Sequence, residues 1–164
     1  MLGGRAIGEQ AQGEEKQRMA AIVREAVKAG AVGFSTSRFL GHYIPDGRHV
    51  PGTHAKHDEL VEIAKVIGEQ DALMQNVMNL GSDFEGEMDL LRKEAEQARV
   101  LFSHGTGRTN SYGDKVEKLV MEMREQGLDV NAIAIPRSSG FVTGLHAYLP
   151  CRGCSWEDLG QGSF

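Results

Sequence analysis

Four times along this chain an apolar stripe at helical spacing leads into a short apolar run that turns polar at its end. That alternation of 3.6-residue and strand-like patterning constrains the fold more than any other feature of the sequence. In the first unit Met19, Ile22, Val23, Ala26 and Val27 recur on one face of a helix spanning Gly13 to Ala29, and Gly30 stands where a left-handed C-cap belongs. Strand Ala31 to Ser37 follows. The second unit is a helix near Lys56 to Glu69, with Leu60, Ile63, Ala64 and Ile67 inward, and a strand from Ala72 to Asn79. The third opens on Ser82 and Glu85 at capping-box spacing, runs through Met88, Leu91 and Ala95, and feeds Val100 to His104. The fourth pairs Ser111 with Asp114, places Val116, Val120 and Met123 inward, stops at Gly127 and gives a strand from Val130 to Ile135.

Strands separated by single helices run parallel, because a parallel neighbour needs a crossover connection. An α/β sheet follows, and periodicity fits a barrel and an open doubly wound sheet equally well. The 164 residues, 40% of them apolar, suffice for one domain. A net charge of −5, from 18 basic and 23 acidic residues, offers no basic surface and argues against nucleic acid as a partner. No apolar run approaches the roughly 20 residues that span a bilayer, so no membrane partner is expected. With two cysteines, Cys151 and Cys154, the chain lacks the density of a disulfide scaffold, and a soluble, cytoplasmic protein is expected.

Chemistry in parallel α/β folds gathers where strands end, so the residues at which each apolar run turns polar are the candidates. The first strand ends in Ser37 and Arg38, the second carries Gln75 and Asn76, the third ends in His104, and the fourth leads to Arg137. His104, followed by Gly-Thr-Gly, could present a ring nitrogen to a metal or a substrate, or be a hydrogen-bonded strand-end residue. Arg38 and Arg137 could hold an anion with a planar fork or pair with helix carboxylates. Ser37 and Asn76 are candidate substrate contacts. The loop from Arg38 to Ala55 leaves the first strand with five glycines and prolines, fitting an active-site wall or a surface excursion. His54 and His57 are read as a solvated helix start, Cys151 and Cys154 as unpaired thiols, and Met74, Met78, Met88, Met121 and Met123 as core filling. Gly105-Thr-Gly107 lacks the glycine spacing and the lysine of a phosphate loop.

At Glu25-Ala-Val-Lys-Ala-Gly-Ala-Val-Gly-Phe-Ser-Thr-Ser-Arg38 the sequence resembles the N-acyl-D-amino-acid deacylases, the D-aminoacylase group of the amidohydrolase superfamily. Asp46-Gly-Arg48, Val50-Pro-Gly-Thr53, Asp58-Glu-Leu60, Ile135-Pro-Arg137, Gly144-Leu145 and Leu149-Pro-Cys-Arg-Gly153 agree with it in the same order. The resemblance implies a partial (β/α)8 TIM barrel, with residues 1–164 a fragment corresponding to strands four to seven. It implies zinc held by histidines and an aspartate at strand ends, and hydrolysis of the amide of an N-acyl-D-amino acid or related small molecule. The strand-one His-x-His and the strand-eight proton-shuttling aspartate would lie outside this chain. The family's strand-six ligand falls on His104; its strand-five histidine falls on Asn76, and an amide is a poor substitute for imidazole. A divergent branch follows, whose segment alone is expected to be inactive. The alternative is a non-catalytic α/β half-barrel that self-associates through its unpaired edges.

Overall fold

The computed structural model describes residues 2–104 and 111–133. After a short 3-10 turn at Gly3–Ile7, the described elements alternate: α1 (Gly13–Lys28), β1 (Gly33–Ser37), α2 (His57–Glu69), β2 (Leu73–Met78), α3 (Phe84–Ala95), β3 (Arg99–His104), α4 (Ser111–Glu125) and β4 (Val130–Ala132). The four strands form one sheet in chain order, β1-β2-β3-β4, with every pair parallel. Ser35, Gln75, Leu101 and Asn131 stand in one row across the sheet, and Ser37, Val77 and Ser103 in the row two residues closer to its C-terminal end.

Local chemistry explains the boundaries. Gly30 and Gly127 take φ of +111° and +85°, the left-handed conformation that lets α1 and α4 end at the expected places. Helix α1 begins on a box that sequence reading did not anticipate, in which the Glu15 carboxylate accepts from the Gln12 backbone N–H at 2.9 Å. Helix α3 is capped one residue later than expected: the Asp83 carboxylate accepts from Gly86 N–H at 3.0 Å, while the Ser82 hydroxyl accepts from the Asn79 side chain. Asp is an equally good N-cap, and its position three residues before the glycine amide decides the register.

The core lies between the sheet and α2, α3 and α4. On β2, Met74, Asn76 and Met78 are buried and alternate with partly exposed Leu73, Gln75 and Val77. Val100 and Phe102 of β3 and Val130 of β4 continue the buried row against Leu60, Ile67, Leu90, Leu91 and Met123. Each such side chain, removed from water, contributes about 1.5–3 kcal/mol. The opposite sheet face, with Ser35 and Asn131 exposed, carries no packed helix among the described residues.

Burial thins toward both ends of the described sheet. Only Ala20 of α1 is fully buried, and Ile22, expected inward, is 47% exposed. Ala31 and Val32 precede the sheet, with Val32 88% exposed, so β1 starts two residues later than its apolar run suggests. Met74, Met78, Met88 and Met123 fill the core as expected, but Met121 points outward from α4 at 49% exposure. No helix among the described residues is long and apolar enough to cross a membrane.

Candidate functional site

The C-terminal ends of β1 and β2 are where polar side chains meet, and the 38–56 loop is folded over them. The Arg38 backbone N–H donates to Val77 O at 2.9 Å, extending the β1–β2 ladder one residue past β1 before the chain turns away. The loop is built rather than slack. Ile44 N–H donates to Arg48 O at 2.8 Å, Gly47 turns the chain with φ of +86°, and Asp46 accepts from the Arg48 backbone and guanidinium. Tyr43 and His49 bridge antiparallel with their rings tilted at 31° and centroids 4.9 Å apart. These contacts make a small hairpin of what composition left as either a wall or an excursion.

Two links tie this hairpin to the strand end. Ser37 Oγ lies 2.6 Å from His42 Nδ1, with the Phe39 ring edge-on to the imidazole at 5.2 Å. The Arg38 guanidinium donates to Glu87 Oε1 at 2.7 Å and to Ala55 O at 2.6 Å, and lies 3.5 Å from His57 Nε2. Glu87 also accepts from Asn79 N–H at 3.2 Å, so one carboxylate on the first turn of α3 fixes the ends of both β1 and β2. Arg38 and Glu87 have side chains only 12% and 4% exposed. A second histidine contact, His49 Nδ1 to His54 Nε2 at 2.9 Å, closes the base of the loop. Beside β1 the loop, α1 and the first turn enclose an open cavity of about 640 Å³, with Ser37, Thr36, His54 and Glu59 as polar lining against Met19 and Phe34. Glu59 is held above the usual carboxylate range, chiefly by burial, against hydrogen bonding from the Ala11 backbone and the charge of Lys16.

The sequence candidates separate into distinct environments. Ser37 stands at the strand end with His42. Arg38 is committed to Glu87 and the Ala55 carbonyl, which is the carboxylate-pairing arrangement rather than a free fork. Asn76 lies on the other face: it is fully buried, and its amide donates to Glu94 of α3, so the structure does not bring it to the row that carries Ser37. His104 closes β3 in register with Met78. Arg137 lies outside the described residues, as do Gly105-Thr-Gly107, Cys151 and Cys154. Among the described residues no group of three His, Cys, Asp or Glu side chains stands close enough to hold a metal ion. The described residues therefore do not fit a metal centre by themselves.

Sequence reading missed His42, His49, Glu87 and Glu94. The two glutamates had a signal: seven residues apart, they share the stripe of α3 that carries Met88, Leu91 and Ala95, and a carboxylate on a core-facing stripe demands a partner. The histidines had none beyond their place in the loop.

No protein-family model and no curated protein sequence matches the chain. Two solved structures do match its fold. One is D-aminoacylase, described for the functional role of a binuclear metal centre with one-metal activation and second-metal attenuation. It matches 80% of this chain with a TM-score of 0.63 and 21% identity. A single-substitution variant of D-aminoacylase in complex with copper chloride matches the same share with a TM-score of 0.62 and 21% identity. The fold is part of a TIM barrel. In each comparison this chain spans 27% of the D-aminoacylase chain, a parallel stretch of helix and strand units within a larger enzyme. The choice that periodicity left open, between barrel and doubly wound sheet, falls to the D-aminoacylase-like barrel.

Proposed function

We propose that this chain contributes about four of the eight βα units of the barrel of a metal-dependent hydrolase that cleaves the amide C–N bond of an N-acyl-D-amino acid or a closely related small molecule. The observation that carries the reading is the match of its successive βα units to D-aminoacylase over 80% of the chain, in a sequence whose ordered residue blocks resemble the same group. In this reading zinc is the metal, held largely by residues that the resemblance places elsewhere in the barrel, with His104 the ligand this segment supplies. Ser37, polarised by His42, is the substrate contact at the β1 end. Arg38 acts indirectly, by fixing the loop that covers it. Arg137 remains a candidate anion holder. A cytoplasmic location and a small-molecule substrate belong to the same reading.

The test is a complete barrel carrying this segment, assayed for bound zinc and for amine release from N-acetyl-D-amino acids. His104→Ala is expected to lower metal content and to cut the rate at least a hundredfold, on the scale of losing an inner ligand. Unchanged zinc and rate would remove His104 from the site.

A second reading, a half-barrel that self-associates, is favoured by one observation. The large apolar residues most exposed to water include Val32 just before β1 and Ile133 just after β4, the two outer strands of the described sheet, together with Ile22 of α1 and Met121 of α4.

A further inference from the structure

Between β2 and α3 two glutamates face the sheet, and they are satisfied in opposite ways. Glu87 has a cation and a backbone N–H, whereas Glu94, two turns later, has only the side-chain amide of Asn76. Both Glu94 and Asn76 are 0% exposed. Asn76 Nδ2 donates to Glu94 Oε2, which leaves one buried polar atom on each partner, Asn76 Oδ1 and Glu94 Oε1, without a hydrogen bond. These two are oxygens, and with the carboxyl ionised the pair holds two buried acceptors and no donor for either, a conflict. A single proton on Glu94 Oε1 converts the conflict into a second hydrogen bond, Oε1–H to Oδ1, antiparallel to the first. Every polar atom of the pair is then satisfied.

We propose that Glu94 is carried as an un-ionised carboxylic acid in a closed acid–amide pair with Asn76, and that this pair makes the fold loosen as pH rises. An ionised carboxylate at this position would lose the Oε1–H bond while fully buried on the helix that carries the core residues Leu90 and Leu91. The charged groups that act on Glu94 from neighbouring elements are Arg38, at the end of β1, which favours ionisation, and Glu87, on its own helix, which opposes it. Glu59 of α2, the other raised carboxyl, answers to Lys16, Asp58 and Arg38. Burial outweighs the Asn76 hydrogen bond and the distant Arg38, and pushes Glu94 from an ordinary 4.5 up to about 8.

The sign follows from linkage. A carboxyl that holds its proton more tightly when folded takes up a proton on folding at any pH between its two values. Stability is therefore highest below about 4.5, falls as pH rises toward about 8, and is flat in this term beyond it. Urea unfolding of the 164-residue chain, compared with Glu94→Gln, is the test. Gln keeps an N–H to donate to Oδ1 and has no proton to exchange. Between about pH 5.5 and 7 the unfolding constant of the wild type is expected to rise about tenfold per unit more steeply than that of Glu94→Gln. Parallel profiles would overturn the proposal. Where the variant fails to fold, the side-chain carboxyl carbon of Glu94 in the wild type gives the answer directly. A neutral-acid shift at pH 6.5 is expected, and an ionised shift there would refute the pair.

Discussion

Arg38 shows how a residue can stand at the right place for one role and perform another. From sequence it is a cation at the end of a strand; in the fold its donors are taken by Glu87 and Ala55 O, and its task is to hold a loop to a sheet. Removing it leaves the Glu87 carboxylate, 4% exposed, with one backbone N–H. Arg38→Met is therefore expected to destabilise the fold by about 3–5 kcal/mol, the cost of an uncompensated buried charge. Arg38→Met with Glu87→Gln should recover at least half of that loss in urea unfolding. Additive losses would show that the two residues do not act as a pair. The parity of the neighbouring strand was not legible in the same way. Leu73-Met-Gln-Asn-Val-Met78 sets two polar residues between apolar neighbours, and a parallel strand with apolar residues on both faces leaves no alternation from which to choose. Whether Gln75 or Asn76 faces the helices depends on Glu94, a residue on another element 18 positions away. That single step of parity moved Asn76 from the candidate site into the core.

At the scale of elements the sequence was more readable, because caps and stripes are local. Gly30 and Gly127 mark real helix ends, and the inward residues of α2 and α3 are buried as their spacing requires. The misreadings fall where a neighbouring element decides, as for α1, whose apolar stripe has little to pack on among the described residues. Gly68 makes the same point in a form open to experiment. It sits near the end of α2, where helix propensity alone favours Gly→Ala by about 1 kcal/mol. Yet a Cβ there would lie 1.8 Å from Gln97 O and 2.9 Å from Gln97 C, in the segment joining α3 to β3. Both are backbone atoms that cannot rotate aside, so α2 and the α3–β3 connection would have to separate. Gly68→Ala is expected to destabilise by about 1–3 kcal/mol, an overpacking cost that exceeds the propensity gain. A rise in the urea midpoint would mean that the close approach of α2 to that connection does not exist in solution.

At the scale of the molecule, the described residues form a sheet with helices packed on one face and two outer strands, and its polar rows and apolar edges make different demands. The face bearing Ser35, Gln75 and Asn131 is polar where it meets water. The edges are not: among the described residues β1 has one strand neighbour, and Val32 and Ile133 near the two outer strands are 88% and 45% exposed. Backbone groups on such an edge are templates for another strand, and the adjoining apolar side chains add area to any contact made there. Sedimentation velocity should therefore give a weight-average mass above 17.9 kDa that rises with concentration. Val32→Lys together with Ile133→Lys should return the chain toward monomer, because a charge at each edge opposes strand pairing without touching the core. A wild-type chain that stays monomeric at every concentration would show that its edges are already satisfied. The half-barrel reading would then fail, while the amidohydrolase reading, which rests on the order of the βα units, would stand.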